Sequence, residues 1–253
     1  MDSRPIAAII IFSALAIMLN LSPIKIPAPY APFLIYQIWE IPIVAAFLLY
    51  GSKVGVAVSI LNTIALLAIF PGALPTGPLY DLAAVLSMLF GIYIIHKASL
   101  VFRRRLVGNG YFAEAVTYMA LAMLSIMGAL VQTLLWLLPA CIFGLLSTTV
   151  IIESQQSKNA NLHRVPQNPN DRYNSFLVMA STISGAFARV IIMTLVNFTV
   201  LPFSPPIGFA MPREAVIGLL PLIGLFNATL AFYTIPIGYA IARVVSSRIK
   251  TAG

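Results

Sequence analysis

Long uninterrupted runs of apolar residues, separated by short polar or proline-rich segments, dominate the pattern of this chain. Most runs approach or exceed the roughly 20 residues that an α-helix needs to cross a bilayer. A membrane β-barrel would instead need segments of about 10 residues in which apolar and polar positions alternate. The pattern therefore predicts membrane-spanning helices. The first four runs and the last two are Ile6–Leu21, Leu34–Tyr50, Val54–Phe70, Pro78–Val101, Phe176–Phe203 and Ala215–Val245.

A further apolar stretch, residues 112–152, is too long to be a single membrane-spanning helix. As one helix it would be about 60 Å long, twice the hydrocarbon thickness of a bilayer. We therefore expect an inserted helical hairpin there, followed over residues 153–175 by a polar cytoplasmic loop. The chain is then a single membrane domain, 1–253, of about eight spans. It comprises four spans within residues 1–111, the helical hairpin, and two spans within residues 176–253.

The composition supports a lipid-covered surface. Only 9% of the 253 residues are charged and 60% are hydrophobic, whereas a soluble domain carries about a quarter charged residues. The formal net charge of +8 could suggest a nucleic-acid partner, but the basic residues lie between apolar runs. That distribution is typical of the positive-inside rule, which places Arg4, Lys53 and Arg103–Arg105 in the cytoplasm. We expect a multi-pass protein of the cell membrane with both termini cytoplasmic and no nucleic-acid partner.

Catalytic and metal-binding motifs are absent from the sequence. Cys141 is the only cysteine, and the two histidines, His96 and His163, lie far apart, where we expect interfacial or loop positions. Neither a His-Glu-x-x-His helix nor a Gly-x-Ser-x-Gly turn occurs. The Gly-x-x-x-x-Gly-Lys-Ser/Thr nucleotide loop is also missing, so the chain does not itself hydrolyse ATP. We expect no enzyme, no metal site and no cofactor.

Acidic, amide and aromatic residues recur at the same end of consecutive apolar runs, beside a loop with four prolines between Pro23 and Pro32. Prolines restrict such a loop and suit it to act as a lid. Asparagine can both donate and accept, and aromatic rings stack on ringed ligands. We therefore predict a pocket in which Asn197 and Asn227 face each other and bind a ligand's polar edge. The candidate ligand-binding residues are Tyr30, Tyr36, Trp39, Glu40, Asn62, Asp81, Asn197 and Asn227.

Each candidate also has a purely structural interpretation. The asparagines could bond neighbouring helices, and the aromatic residues could form an interfacial belt. Glu40 and Asp81 could be helix N-terminal carboxylates stabilised by the helix dipole. Arg189 either lies near the inner boundary of its span and snorkels, or lies centrally and needs an acidic partner such as Glu114.

Several local motifs resemble those of the substrate-binding S components of energy-coupling factor (ECF) vitamin transporters, in the riboflavin-binding branch. The resemblance implies a six-helix core, a small vitamin as substrate with riboflavin as the best guess, and three partners: a transmembrane coupling subunit and two ATPase subunits. Leu61 and Leu230 stand where the family usually has lysine, so we expect the ligand to be neutral. The motifs are Glu40-Ile-Pro42, Gly55-Val-Ala-Val-Ser-Ile-Leu-Asn62, Thr76-Gly-Pro-Leu-Tyr-Asp81, Met193-Thr-Leu-Val-Asn197-Phe-Thr-Val-Leu-Pro202, and Leu220-Pro221 followed by Phe226-Asn227.

Two other functions stay open on the sequence alone. The same pocket could serve a stand-alone carrier for a small aromatic metabolite, driven by an ion gradient. The chain could also be a membrane enzyme or an assembly protein with no transported ligand. Genes for an ATPase pair and a coupling protein in the same genome would favour the first interpretation.

Overall fold

The computed structural model describes residues 3–23, 25–28, 31–69, 75–105 and 175–251. These residues form six α-helices and one two-stranded sheet. The predicted helical hairpin at residues 112–152 and nearly all of the loop at 153–175 lie outside the described residues. In chain order the elements are α1 (Ser3–Leu21), β1 (Ile26–Ala28), β2 (Ala31–Tyr36), α2 (Glu40–Tyr50), α3 (Ser52–Ile69), α4 (Gly77–Arg105), α5 (Ser175–Val200) and α6 (Arg213–Thr251).

Five of the six described helices are long and apolar enough to cross a membrane, namely α1, α3, α4, α5 and α6. The predicted class, a helical membrane protein, is confirmed. The longest helix, α6, has 39 residues and contains two prolines, Pro221 and Pro236. Its length of about 58 Å exceeds the hydrocarbon thickness of a bilayer, so α6 extends beyond the apolar layer.

The predicted span Leu34–Tyr50 is wrong in its first third. Residues 31–36 form β2, and α2 contains only 11 residues. Pro42 sits in the first turn of α2, where its missing N–H costs no intrahelical hydrogen bond. An 11-residue helix is about 16 Å long, roughly half the hydrocarbon thickness. Because Glu40 is only 3% exposed, α2 begins inside the protein rather than at its surface.

The proline-rich loop folds into an antiparallel β-hairpin. Ile26 of β1 lies opposite Tyr36 of β2, with a register irregularity between Pro27 and Ala28. The hairpin packs against α6, where its side chains surround two buried α6 residues, Phe226 and Leu230. It therefore covers the interior at the level where α2 is too short to reach.

The β-hairpin shares its end of the bundle with two connections. Phe33 of β2 contacts Phe209 of the α5–α6 loop, with ring centroids 5.9 Å apart. Thr76, just before α4, donates through Oγ1 to the Pro206 carbonyl at 2.8 Å, and the Tyr80 hydroxyl donates to the Ile207 carbonyl. We call this the hairpin end. The opposite end, where α2 turns into α3 at Gly51, is the far end.

The helices pack in a ring. Along this ring α1 contacts α3, α3 contacts α4, α4 contacts α5, α5 contacts α6, and α2 closes it by contacting α6 and α1. The helices α4 and α5 cross closely, since a Cβ on Gly91 would lie 2.7 Å from the Gly185 Cα. The Ser184 hydroxyl donates to the Gly91 carbonyl at 3.0 Å across the same crossing. This close approach fixes α5, which carries the central residue of the candidate site.

Candidate functional site

The start of α2 places a carboxylate in the interior of the bundle. Glu40 is the first residue of α2, and every residue from Glu40 to Phe47 is buried. A carboxylate at this position interacts favourably with the helix dipole, as the structural interpretation of Glu40 predicts. The dipole alone does not compensate a buried charge, so Glu40 needs a cationic partner.

Arg189, near the middle of α5, is that partner. Its Nη2 donates to Glu40 Oε1 at 2.8 Å, and its Nη1 donates to the other carboxylate oxygen, Oε2. Both side chains are almost completely buried, with 2% and 3% of each residue exposed. Of the two positions considered for Arg189, the central one is confirmed. The suggested partner Glu114 lies outside the described residues, and Glu40 fills this role. The two-pronged geometry is the strongest form of arginine–carboxylate pairing.

Asn227 of α6 completes a three-residue cluster. Its Oδ1 accepts a hydrogen bond from Arg189 Nε at 3.0 Å, and its Nδ2 donates to the Ile223 carbonyl at 2.9 Å. The Met88 sulfur of α4 lies 3.7 Å from Arg189 Nη1. The guanidinium therefore links α2, α5 and α6 and touches α4. We call Glu40, Arg189 and Asn227 the central cluster.

Asp81 extends the charged region towards the hairpin end. It is partly buried on α4 and lies seven residues, or two helical turns, before Met88, so the two share one face of α4. Asp81 interacts electrostatically with both Glu40 and Arg189, and with Lys25 beside the β-hairpin. The structure thus brings two of the predicted acids, Glu40 and Asp81, into one region under the hairpin.

The other two candidate asparagines differ from Asn227. Asn197 lies eight residues after Arg189 on α5, about 12 Å nearer the hairpin end, and its Nδ2 donates to the Met193 carbonyl at 2.7 Å. Asn62 of α3 is fully buried, and within the described part of the chain neither its Nδ2 nor its Oδ1 has a hydrogen-bond partner. A buried amide without partners is costly. Asn62 is therefore the candidate whose hydrogen-bonding capacity is most clearly unfilled.

Of the candidate aromatic residues, Tyr36 lies next to the central cluster. The Tyr36 ring packs on Phe226, next to Asn227, with centroids 4.8 Å apart. Trp39 lies in the main hydrophobic core with Ile43 and Val44, and Tyr30 lies outside the described residues. Tyr233 of α6, which the sequence did not single out, donates through its hydroxyl to the Gln37 carbonyl and ties the end of the hairpin to α6.

The two leucines that replace the family's lysines lie in different environments. Leu230 is buried beneath the β-hairpin, beside the Tyr36–Phe226 contact. Leu61 is 42% exposed on the outer surface of α3. Only position 230 could place a side chain into the candidate site, so only there does the loss of a lysine change the charge near a ligand.

A second polar cluster lies nearer the far end. The Tyr239 hydroxyl of α6 is within hydrogen-bonding distance of His96 Nε2 on α4 and, at 2.9 Å, of Ser181 Oγ on α5. His96 therefore has specific partners in addition to its position near the end of the apolar part of α4. Its ring stacks on Tyr239 and joins three helices, because a buried tyrosine hydroxyl needs partners.

Among the described residues, no group of three or more His, Cys, Asp or Glu side chains is arranged to hold a metal ion. The contacts within the central cluster are hydrogen bonds and one charge pair. No protein-family model matches the chain, and no curated protein matches it either.

Proposed function

We propose that this chain is the substrate-binding and translocating membrane subunit of an ECF-type importer for a small vitamin, with riboflavin as the best guess. The observation that carries the proposal is the central cluster, in which Glu40 and Asn227 meet at Arg189 in the interior of an apolar bundle. Both residues belong to the motifs that resemble the S components. Polar and ionisable groups inside a membrane are costly, and they are retained where they bind or move something.

The β-hairpin supports a binding role. It covers the interior where α2 is short, and it contacts both α6 and the α5–α6 loop. A cover made of a two-stranded ribbon can move as a unit, because its own hydrogen bonds hold it together. We propose that the ligand enters from the hairpin end, and that this end faces the outside of the cell.

The ligand that fits this region is neutral. Arg189 is already neutralised by two-pronged pairing with Glu40, and Leu230 stands where the family usually has lysine. A phosphorylated flavin would bring about two negative charges into a site with little to balance them, and burying unpaired charge is strongly unfavourable. Riboflavin, which lacks the phosphate, avoids this cost.

The absence of a nucleotide-binding loop bears on which proteins could supply energy for uptake. Because the chain has no Gly-x-x-x-x-Gly-Lys-Ser/Thr sequence, uptake against a gradient draws its energy from partner proteins or from an ion gradient. We propose a transmembrane coupling subunit and two ATPase subunits for this role. The protein itself is not an enzyme and uses no cofactor.

Titration of riboflavin with the purified protein, followed by quenching of flavin fluorescence, tests the proposal. We expect saturable binding by the wild type. Asn197→Ala removes a buried amide and should weaken affinity roughly 5- to 150-fold, which corresponds to about 1–3 kcal/mol. Lys25→Ala is the matched control, because Lys25 is exposed and a charge at such a position contributes little.

Two negative results are possible, and they have different meanings. Absence of flavin binding by the wild type would reject riboflavin, and mass spectrometry of small molecules that co-purify with the protein would then identify the ligand. Binding by Asn197→Ala as tight as that of the wild type would instead show that the ligand does not contact Asn197.

A further inference from the structure

We propose that Arg189 is a positioning residue, which orients the Asn227 amide so that it presents an N–H group to the ligand. The ligand group bound at Asn227 is then a hydrogen-bond acceptor of the carbonyl type. This inference rests on the proposed function, because it assumes that a ligand occupies the region under the β-hairpin. It adds two points to that function: Arg189 acts on the ligand through Asn227, and the ligand must carry a hydrogen-bond acceptor.

The orientation of the Asn227 amide is fixed by its partners. Arginine carries only donors, so the atom that faces Arg189 Nε at 3.0 Å must be the amide oxygen. A backbone carbonyl can only accept, so the atom that faces Ile223 O at 2.9 Å must be the amide nitrogen. Both contacts require the same orientation, and rotating the amide by half a turn would break both.

This orientation determines which hydrogen-bonding group of Asn227 can still bind a ligand. Its Nδ2 carries two hydrogens, and one is used by the Ile223 carbonyl. The oxygen is oriented towards α5 by Arg189. The second N–H is the donor that a ligand acceptor can use. A ring carbonyl satisfies this donor, whereas a ring N–H would face another hydrogen and be repelled.

Arginine is required here for geometric reasons. Its fork holds Glu40 with both Nη atoms while Nε remains free to hold Asn227. Lysine has the same charge but only one nitrogen on a flexible stem, so it lacks this fixed arrangement. Arg189→Lys therefore keeps a positive charge opposite Glu40 and loses the contact that orients Asn227.

A double-mutant cycle on flavin affinity tests the positioning role. We expect Arg189→Lys and Asn227→Ala each to weaken riboflavin binding roughly 5- to 150-fold. Because Arg189 acts through Asn227, the double variant should bind no more weakly than Asn227→Ala alone. Additive losses in the cycle would overturn the proposal, since residues with independent effects add. Tyr239→Phe is the control: it removes buried hydrogen bonds in the second polar cluster, and flavin affinity should stay unchanged.

A second variant tests whether Asn227 donates an N–H to the ligand. It also tests the proposal if Arg189→Lys does not fold. Asn227→Asp keeps an oxygen for Arg189 Nε but has no N–H, so we expect it to lose riboflavin affinity as strongly as Asn227→Ala. Binding by Asn227→Asp as tight as that of the wild type would overturn the inference and leave the proposed function intact. Absence of flavin binding by the wild type would overturn the riboflavin assignment and, with it, the inference.

Discussion

At the scale of single residues, the pairing of Arg189 with Glu40 decides which substitutions the interior tolerates. Each side chain is nearly buried, so removal of either one leaves the other charge uncompensated. Breaking such a pair usually costs more than replacing both members, because two apolar residues leave no buried charge. Single substitutions at Glu40 or Arg189 are therefore strongly destabilising, although the pair itself adds little to the stability of the protein.

We expect Glu40→Met and Arg189→Met each to lower the free energy of unfolding by about 3–5 kcal/mol. The double variant, Glu40→Met with Arg189→Met, should be more stable than either single variant. Circular dichroism during denaturation of the protein in detergent micelles measures this. Tyr80→Phe is the control, because it removes an exposed hydrogen bond and should cost at most about 1 kcal/mol. A double variant less stable than both single variants would contradict the prediction.

The sequence left two positions open for Arg189, and for the central one it suggested Glu114 rather than Glu40 as the acidic partner. Glu40 and Arg189 are separated by 149 positions, and no local pattern relates residues at that distance. The motif residues Glu40 and Asn227 were predicted for the site, and both meet at Arg189. Their connection through Arg189 was missed, because the motifs give residue types and order along the chain but not which side chains touch.

At the scale of elements, the apolar runs predicted most helices well but did not predict the β-hairpin. The spans expected at Ile6–Leu21 and Val54–Phe70 agree with α1 and α3 to within a few residues. The β-hairpin was missed because the run that begins at Leu34 is mostly apolar, and a mostly apolar run does not by itself distinguish a strand from a helix. Pro27 is compatible with β1, since proline occurs in edge strands where no ladder bond is needed.

The α4–α5 crossing gives a prediction at this scale. Gly91→Ala should destabilise the protein by about 1–3 kcal/mol, because the added methyl group meets the α5 backbone and the helices must separate. Gly218→Ala adds the same group to α6 at a position with no heavy atom within 4 Å. It should be neutral or stabilising, because alanine favours helix more than glycine does. Equal effects of both substitutions on detergent unfolding would show that the crossing is not tightly packed.

At the scale of the whole molecule, the distribution of basic residues predicts the orientation in the membrane. Lys53, Arg243 and Arg248 lie at exposed positions towards the far end, and clustered bases resist translocation. In a Cys141→Ser background, a membrane-impermeant maleimide should label Ser204→Cys in intact cells, since Ser204 is exposed in the α5–α6 loop. Ser247→Cys, exposed near the C-terminal end of α6, should react only after the cells are permeabilised. The reverse pattern would place the β-hairpin in the cytoplasm.

The energy source is the property that separates an ECF-type subunit from a stand-alone carrier. The chain has no nucleotide-binding loop, so in proteoliposomes we expect it to bind riboflavin without concentrating it, even when a proton or sodium gradient is imposed. Adding the coupling subunit and the two ATPase subunits should give uptake that requires ATP. In that complex, Asn197→Ala should lower uptake at low riboflavin concentration by about the factor by which it lowers affinity, because weaker binding alone reduces transport there. Concentrative uptake by this chain alone, driven by an ion gradient, would establish the carrier.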